Sequence, residues 1–234
     1  MNILALDSAL SSCSAAVVRD GVILSEIFEE RLRGQAERLI PMCQEVCAQA
    51  GLSFDDLEAI AVTRGPGTFT GVRIGLAAAK GLALALNIPL VGVTTLDVVA
   101  RDIAESLPDG RVAIALDARR SEVYLQIFEV TGGNNIPVSE PAAVPLENVA
   151  AHLDGQVTAL FGTGAELVKS FLSDDICARL DFPDMPCQPK SGTLGLMACE
   201  RLASGATPEA VVPLYLRAPD AVAAKAISYP FQNL

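Results

Sequence analysis

A pattern that occurs twice, 110 residues apart, constrains the fold of this chain more than any other feature. Residues 3–7 read ILALD and residues 112–117 read VAIALD, so each is a short apolar run that ends in an aspartate. The two aspartates, Asp7 and Asp117, are separated by close to half of the 234 residues. Self-similarity at a fixed spacing indicates a repeated structural unit. The alternative is a chance match between two apolar strands.

The segments that follow the two runs agree with a duplication. Each run leads through a short polar turn to an amphipathic segment, residues 13–18 in the first half and residues 122–130 in the second. A turn that contains glycine comes after both segments, which is typical of a hairpin. We therefore predict two domains of similar plan, residues 1–110 and residues 111–234.

Hydrophobic periodicity and turn residues predict strands that alternate with helices. In the first half the predicted strands are residues 3–7, 13–18, 22–29, 59–63 and 90–93, and the predicted helices are residues 35–50 and 70–86. In the second half the strands are residues 112–117, 122–130 and 158–161, helices begin near residue 165 and cover residues 194–203, and residues 207–217 close the fold. A tandem β-β-β-α-β-α unit is the plan of the actin and hexokinase superfamily. The predicted class is therefore α/β, a duplicated actin-like (ribonuclease H-like, ASKHA) fold with mixed β-sheets flanked by helices.

The superfamily resemblance also implies where a nucleotide would bind. In these proteins turns from both halves face the nucleotide, with backbone amides on the phosphates and aspartates on the cation. The corresponding residues here are Asp7, Ser8 and Asp117, together with the strand-to-helix turn that contains Gly162 and Gly164. The first two turns read Asp-Ser-Ala and Asp-Ala-Arg, without the glycine that lets a phosphate approach the backbone. The implied nucleotide site is therefore degenerate.

The histidine and cysteine content limits metal chemistry. His152 is the one histidine, so two histidine ligands cannot come together in this chain. Cys43 and Cys47 have the i, i+4 spacing of one helix face, and they could share a metal or lie in the core as small apolar residues. We predict no metal site and no resident cofactor.

Charge and hydropathy narrow the choice of partner and compartment. The chain has 17 basic and 28 acidic residues and a net charge of −11, without a basic run. Because nucleic-acid surfaces need clustered positive charge, we do not expect this chain to be a main RNA-binding surface. The longest apolar stretch is interrupted by Asn87 and Pro89 and is shorter than the roughly 20 residues that span a bilayer. We predict a cytoplasmic protein with no membrane segment.

The most distinctive segment is RGPGTFTGVRIG, residues 64–75, between a predicted strand and a predicted helix. Its amides could hold an anion at the helix N-terminus, or Thr68 or Thr70 could cap the helix. The helix continues with small residues at about four-residue spacing, among them Gly75 and Ala79. Such spacing lets another element approach closely, and that element is either the protein's own core or a partner.

Three segments resemble the bacterial TsaB family, and the resemblance extends over essentially the whole chain. They are ILALDSALSSCSAAVV at residues 3–18, RGPGTFTGVRIGLAAAKGLA at residues 64–83 and PLYLRAP at residues 213–219. Members of that family are actin-like accessory subunits, related to the TsaD family. They serve the machinery that makes N6-threonylcarbamoyladenosine at position 37 of tRNAs reading ANN codons.

The resemblance implies a non-catalytic subunit that binds and activates a TsaD-type catalytic subunit together with a TsaE-type ATPase. ATP and Mg²⁺ would be used by the complex, tRNA would be bound only through the complex, and the chain alone would form a homodimer. Family members pair through the first two helices of the N-terminal half. The expected interface residues on those helices are Leu39, Met42, Cys43, Val46, Val72, Gly75, Leu76 and Ala79.

Two other classes of function remain as alternatives. An actin-like small-molecule kinase is favoured by Asp7 and Asp117 and opposed by the missing phosphate-loop glycines. A peptidase is suggested by the glycoprotease label once given to relatives, but the sequence has no metal-binding motif and no nucleophile–base pair that would support it.

Overall fold

The computed structural model describes residues 1–107, 109–185, 187–205 and 210–217, and its first β-sheet is built from the N-terminal half. The strands of this sheet are β1 (Asn2–Asp7), β2 (Ser12–Arg19), β3 (Val22–Glu30), β4 (Ala59–Thr63) and β5 (Leu90–Val93). Their order is β3-β2-β1-β4-β5. Strand β1 is antiparallel to β2 and parallel to β4, so the sheet is mixed as predicted.

The burial of these strands follows from their place in the sheet. Every residue of β4 and all but the first of β1 are buried, because helices cover both faces of the sheet centre. Strand β3 is the edge and is mostly exposed, with Ser25 its buried residue. The Asp20-Gly21 turn between β2 and β3 has positive φ at both residues, as a tight hairpin turn requires.

Two helices cover one face of the first sheet. They are α1 (Gln35–Gln49) and α2 (Phe69–Leu86), within one residue of the predicted bounds. Thr68 is the residue that caps α2, since its Oγ1 accepts the N–H of Gly71 at 3.1 Å. The apolar side of both helices packs against Leu4, Leu6 and their neighbours in one buried cluster.

The second sheet repeats the plan of the first. Its strands are β6 (Gly110–Asp117), β7 (Glu122–Thr131), β8 (Asn134–Pro137), β9 (Ala142–Pro145) and β10 (Val157–Phe161). The order is β10-β6-β7-β8, and β9 also pairs with β7. Strand β6 is antiparallel to β7 and parallel to β10, as β1 is to β2 and β4. The predicted fold class, a duplicated actin-like fold, is confirmed.

Five further helices complete the described part of the chain. They are α3 (Thr95–Ala104), α4 (Val149–His152), α5 (Ala165–Lys169), α6 (Asp174–Cys177) and α7 (Ser191–Ala203). Helix α3, which the sequence reasoning missed, has a strongly apolar side that includes Leu96, Val99 and Ile103. Of the predicted closing segment, residues 207–209 lie outside the described residues, and residues 210–217 form neither helix nor strand.

The two halves of the chain exchange a helix. Helix α3 follows the first sheet in sequence, but Leu96 and Val99 pack against the second sheet at Phe128. Helix α7 comes from the second half, but Leu194 and Ala198 pack against β1 and β4. We call the first sheet with α1, α2 and α7 the first lobe, and the second sheet with α3 to α6 the second lobe. The expected division between residues 110 and 111 falls after the first residue of β6, and it places α3 and α7 each with the half of the chain whose sheet they do not cover.

Helix α2 has the length and composition of a membrane span, and it is the one such helix in the part of the chain that the structure describes. Its buried residues, Gly71 and Gly75 among them, lie on the first sheet and on the turn after β1. One side of α2 therefore packs against the protein's own first sheet.

Candidate functional site

Asp7 lies at the end of β1, completely buried. Its Oδ1 accepts hydrogen bonds from the Thr63 hydroxyl and, at 3.2 Å, from the N–H of Ala9. Its Oδ2 has no partner among the described residues. Burial raises the pKa of Asp7 to about 7, against the lowering effect of the Thr63 and Ala9 bonds. Asp7 is therefore a carboxyl sealed inside the first lobe, without access to a ligand between the lobes.

The burial of Asp7 makes stability depend on pH. Its folded pKa is about 7 and its ordinary value 3.8, so between these values the folded state keeps a proton that the unfolded state has lost. The contribution of Asp7 to stability is therefore full below about pH 4 and declines as pH rises to about 7, by at most about 1.4 kcal/mol per unit. The side chain of Asp7→Asn does not titrate, so the free energy of unfolding of this variant is expected to lack this decline. Urea denaturation between about pH 5 and about pH 8 measures the difference.

The comparison of the wild type with Asp7→Asn separates the effect of Asp7 from that of Asp102, whose pKa is shifted in the same direction. Burial raises the pKa of Asp102 to about 6, and Asp102 is present in both proteins. Equal pH slopes for the wild type and Asp7→Asn would show that Asp7 does not titrate as its surroundings require.

Ser8 and the two glycines of the second half also have structural roles. The Ser8 hydroxyl donates to the carbonyl of Gly71 at 2.9 Å and is buried. A side chain at Gly162 would collide with the carbonyl of Ala115, and one at Gly164 would lie 2.7 Å from Val123. Gly162 also has a φ of +119°, which favours glycine. These glycines let the chain cross β6 closely, so the packing itself requires them.

Of the residues expected to bind a nucleotide, Asp117 lines the cavity between the two lobes. Its Oδ1 accepts the N–H of Arg119 at 2.7 Å, and its Oδ2 lies 3.2 Å from the Arg119 guanidinium. The Gly162–Gly164 turn lies beside Asp117, since the Asp117 N–H donates to Thr163 Oγ1 at 2.9 Å and Thr163 also lines this cavity. Asp7 and Ser8 are buried in the first lobe and are not part of the lining.

The cavity itself lies between the lobes and has a volume of about 790 Å³. The first lobe contributes the turn after β1 and the start of α2, and the second contributes the turn after β6. Residues 214–217 form a further wall. The lining combines apolar and aromatic side chains with four arginines; its main members are Leu10, Phe69, Val72, Arg73, Asp117, Arg119, Arg120, Tyr124, Leu214, Tyr215 and Arg217.

Residues 210–217, which include this wall, are bound to both lobes. The N–H of Leu214 donates to the carbonyl of Arg64 at 2.7 Å in the first lobe. Tyr215 stacks with Phe69 at a centroid distance of 5.9 Å, and its hydroxyl accepts from Arg73 Nε at 2.8 Å. Arg217 pairs with Glu122 in the second lobe. The sequence reasoning singled out residues 64–75 and 213–219, which contain most of these side chains, but it gave none of them a place in a site.

The residues expected at the partner interface lie elsewhere. Leu39, Met42, Cys43, Val46, Val72, Gly75, Leu76 and Ala79 are all buried in the core of the first lobe. They form the side of α1 and α2 that faces the sheet, so they are not on the surface of this chain. The expectation was wrong in its residues because an apolar helix face is first of all the face that covers the protein's own sheet.

The opposite side of the two helices is exposed and partly apolar. On α2, Leu84 is 83% exposed, and the exposed residues that follow Phe69 are Thr70, Arg73, Ala77, Lys80, Gly81, Leu84 and Ala85. On α1 the exposed residues are Ala36, Glu37, Pro41, Gln44, Glu45, Ala48 and Gln49. We call these two sets together the two-helix surface. Nothing lies within 4 Å of the position where a side chain at Gly81 would begin, so another helix could approach closely there.

The remaining candidate ligands for a metal do not form a site. Cys43 and Cys47 are buried, and burial raises the pKa of both thiols, that of Cys47 to about 11. Within the described residues no three histidine, cysteine or acidic side chains are grouped as metal ligands would be. His152 is exposed and bonded to the carbonyl of Asn148 at 3.0 Å.

A family model described as TsaD: tRNA N6-adenosine threonylcarbamoyltransferase matches residues 23–224. The tRNA threonylcarbamoyladenosine biosynthesis protein TsaB of Escherichia coli K12 is 44% identical over 124 residues, 53% of this chain and 53% of that protein. The chain thus spans about half the length of the first curated relatives it matches. Uncharacterized protein Rv3421c of Mycobacterium tuberculosis H37Rv is 35% identical over 222 residues, 94% of this chain and 93% of that protein.

Among solved structures, YeaZ from Pseudomonas aeruginosa superposes with a TM-score of 0.79 at 33% identity. The match covers 92% of this chain and 99% of that chain. YeaZ is TsaB, and the family model covers most of the present sequence. This chain belongs to the TsaB family, within the larger family that includes TsaD.

Proposed function

We propose that this chain is an accessory subunit in the formation of N6-threonylcarbamoyladenosine in tRNA. The observation that carries the proposal is the family match over residues 23–224, together with relatives whose names place them in threonylcarbamoyladenosine biosynthesis. In this role the chain binds and activates a TsaD-type subunit that performs the transfer to adenosine 37 of tRNAs reading ANN codons. A TsaE-type ATPase joins the complex and uses ATP and Mg²⁺.

The absence of catalysis by this chain is part of the proposal. A chain with a single histidine cannot supply a pair of histidine ligands to a catalytic metal ion. Asp7 is completely buried and does not line the cavity between the lobes, so it is not placed to hold the cation of a kinase reaction there. Both observations favour an accessory subunit over a kinase or a peptidase.

The two-helix surface is the proposed site of partner binding. Leu84 is highly exposed, and burying a leucine side chain at an interface is worth about 1.5–3 kcal/mol. Ala77, Gly81 and Leu84 recur at helical spacing, so they lie on one side of α2. The small residues beside Leu84 allow a partner helix to pack near the α2 backbone. The same surface would serve the TsaD-type subunit in the complex and a second copy of this chain in isolation.

Charge and composition support the remaining parts of the proposal. The net charge of −11 is unfavourable for direct binding of RNA, so tRNA is bound through the complex. Six cysteines without a disulfide in the described structure fit the reducing cytoplasm.

Sedimentation velocity tests the pairing directly. The chain mixed with an equimolar TsaD-type subunit is expected to sediment as a heterodimer, and the boundary of the separate homodimer is expected to disappear, because both pairings use one surface. Two unchanged boundaries at micromolar concentration would contradict the proposal.

A further inference from the structure

Arg73, on the exposed side of α2, is held in a fixed orientation by two aromatic residues. Its Nε donates to the Tyr215 hydroxyl at 2.8 Å, and its guanidinium lies 3.5 Å from the centroid of the Phe69 ring and 5.8 Å from that of Tyr215. Among the residues that the structure describes, no carboxylate pairs with Arg73. We call Phe69, Arg73 and Tyr215 the aromatic–arginine cluster.

An oriented arginine without an acidic partner is unusual in this acidic chain. Arg38 pairs with Glu45 at 2.6 Å, and Arg111 pairs with Glu129 at 3.0 Å. Arginine is enriched among the side chains that contribute most to binding at protein interfaces. A guanidinium that is already ordered loses less conformational freedom when it pairs. The orientation of Arg73 therefore favours a carboxylate that comes from outside this chain.

The charge of α2 points to the same kind of partner. Arg73 and Lys80 are the charged residues of this helix, both are exposed, and the helix contains no acidic residue, although the whole chain carries a net charge of −11. Positive charge on one surface favours a partner surface that is negative. The exposed side of α2 is therefore complementary to an acidic surface.

The aromatic–arginine cluster is continuous with the two-helix surface. Arg73, Ala77 and Leu84 recur at helical spacing, so they lie on one side of α2. Arg73 precedes Leu84 by eleven residues, which is about 16 Å along the helix axis. Phe69 is 57% and Tyr215 48% exposed, so the cluster extends this surface beyond the start of the helix. One partner helix is long enough to contact both ends.

We propose that the aromatic–arginine cluster is part of the surface that binds the TsaD-type subunit, and that Arg73 pairs there with a carboxylate of that subunit. Phe69 and Tyr215 orient the guanidinium and add apolar contact area. This inference rests on the proposed function, because it takes the two-helix surface as the site of partner binding. It adds a charge-dependent contact at the start of α2 to the apolar contact at Leu84.

A second copy of this chain is the other possible source of the carboxylate. The exposed acidic residues of α1 are Glu37 and Glu45, and Glu45 already pairs with Arg38. The second copy also carries the same net charge of −11, which disfavours self-association at low ionic strength. Both observations favour the TsaD-type subunit.

Sedimentation equilibrium of this chain with the TsaD-type subunit tests the inference, at salt concentrations from about 50 to about 500 mM. Arg73→Gln removes the charge and is expected to weaken association about tenfold or more at the lowest salt concentration. Since salt screens an ion pair, association of the wild type should weaken as salt rises, and that of Arg73→Gln should weaken less. Arg179→Gln, which changes an exposed arginine of the second lobe, is the matched control and should associate as the wild type does.

Arg73→Lys is a second variant that keeps the charge and lacks the planar guanidinium. Its affinity is expected to lie between those of the wild type and Arg73→Gln, with the salt dependence of the wild type retained. A purely structural role of Arg73 would not give this dependence on charge and salt. Far-ultraviolet circular dichroism checks that each variant is folded, and Arg73→Lys decides if Arg73→Gln is not.

The outcomes separate this inference from the proposed function. If Arg73→Gln keeps the affinity and salt dependence of the wild type while Leu84→Glu weakens association, the inference is overturned and the proposed function stands. If the wild-type chain does not associate with the TsaD-type subunit, both are overturned. If Arg73→Gln weakens only the self-association of this chain, the carboxylate belongs to a second copy and the inference is wrong.

Discussion

Gly71→Ala is expected to destabilise the protein by about 3 kcal/mol or more, the upper range for overpacking. Gly71 is in the first turn of α2, where the helix crosses the turn between β1 and β2. A methyl group there would collide with the carbonyl oxygen of Ser8 and would lie 2.5 Å from Thr68 Oγ1. The Ser8 carbonyl belongs to a buried backbone turn next to Asp7, so it cannot move aside as a flexible side chain could. The helix or the turn must shift.

Gly81→Ala on the same helix is the matched control. Gly81 faces open space, so the new methyl group meets no atom within 4 Å. Alanine is the better helix former, and the substitution should stabilise the protein by about 0.5–1 kcal/mol. Urea denaturation of both variants measures the difference. Equal stability changes would contradict the close approach of α2 to the turn after β1.

Leu84→Glu is expected to weaken association with the TsaD-type subunit about 30-fold or more, equivalent to about 2 kcal/mol. Leu84 is 83% exposed in the isolated chain, so the glutamate is solvated before binding. On association it would be buried without a positive partner, which is unfavourable. The free energy of unfolding should change by no more than about 0.5 kcal/mol. Sedimentation equilibrium measures the association.

Two further substitutions test whether the loss of association is specific to the two-helix surface. Ile136→Glu changes a 64% exposed apolar residue of the second lobe, and it should leave association unchanged. Leu39→Glu places a charge in the core of the first lobe, where Leu39 is 1% exposed, and it should unfold the protein. Normal association of a folded Leu84→Glu variant would contradict the two-helix surface.

The secondary structure was predictable because its signals are local. Strands β1 and β6 are apolar runs that end in aspartate, and α1 and α2 have clear helical periodicity between turn residues. Helix α3 was missed because Thr95 to Ala104 follow a predicted strand without a glycine or proline break. The exchange of α3 and α7 between lobes could not be predicted, because sequence order says nothing about which open sheet face an apolar helix covers.

The site was less predictable than the fold. The periodicity of α1 and α2 identifies an apolar face, but it does not distinguish a core face from an interface, and Leu39 and Leu76 belong to the core. Asp7 fits the superfamily pattern, but the sequence does not predict its burial. Thr63, which donates to Asp7, is 56 residues away in sequence, and the turn at Ala9 has no distinctive residue pattern. The backbone conformation of the turn after β6 could not be predicted either, because nothing in the sequence indicates the positive φ of Arg119 and Arg120.

The measurement that tests the accessory role most directly is the rate of threonylcarbamoyladenosine formation in a reconstituted reaction. The reaction contains the TsaD-type subunit, the TsaE-type ATPase, threonylcarbamoyl-adenylate, ATP, Mg²⁺ and tRNA, with this chain added at increasing concentration. The rate is expected to rise from near background to a plateau at one equivalent of wild-type chain, and Leu84→Glu should shift the curve to higher concentration. This chain without the TsaD-type subunit should produce no modified tRNA. An equal rate when the chain is omitted, or product formed by the chain alone, would contradict the account.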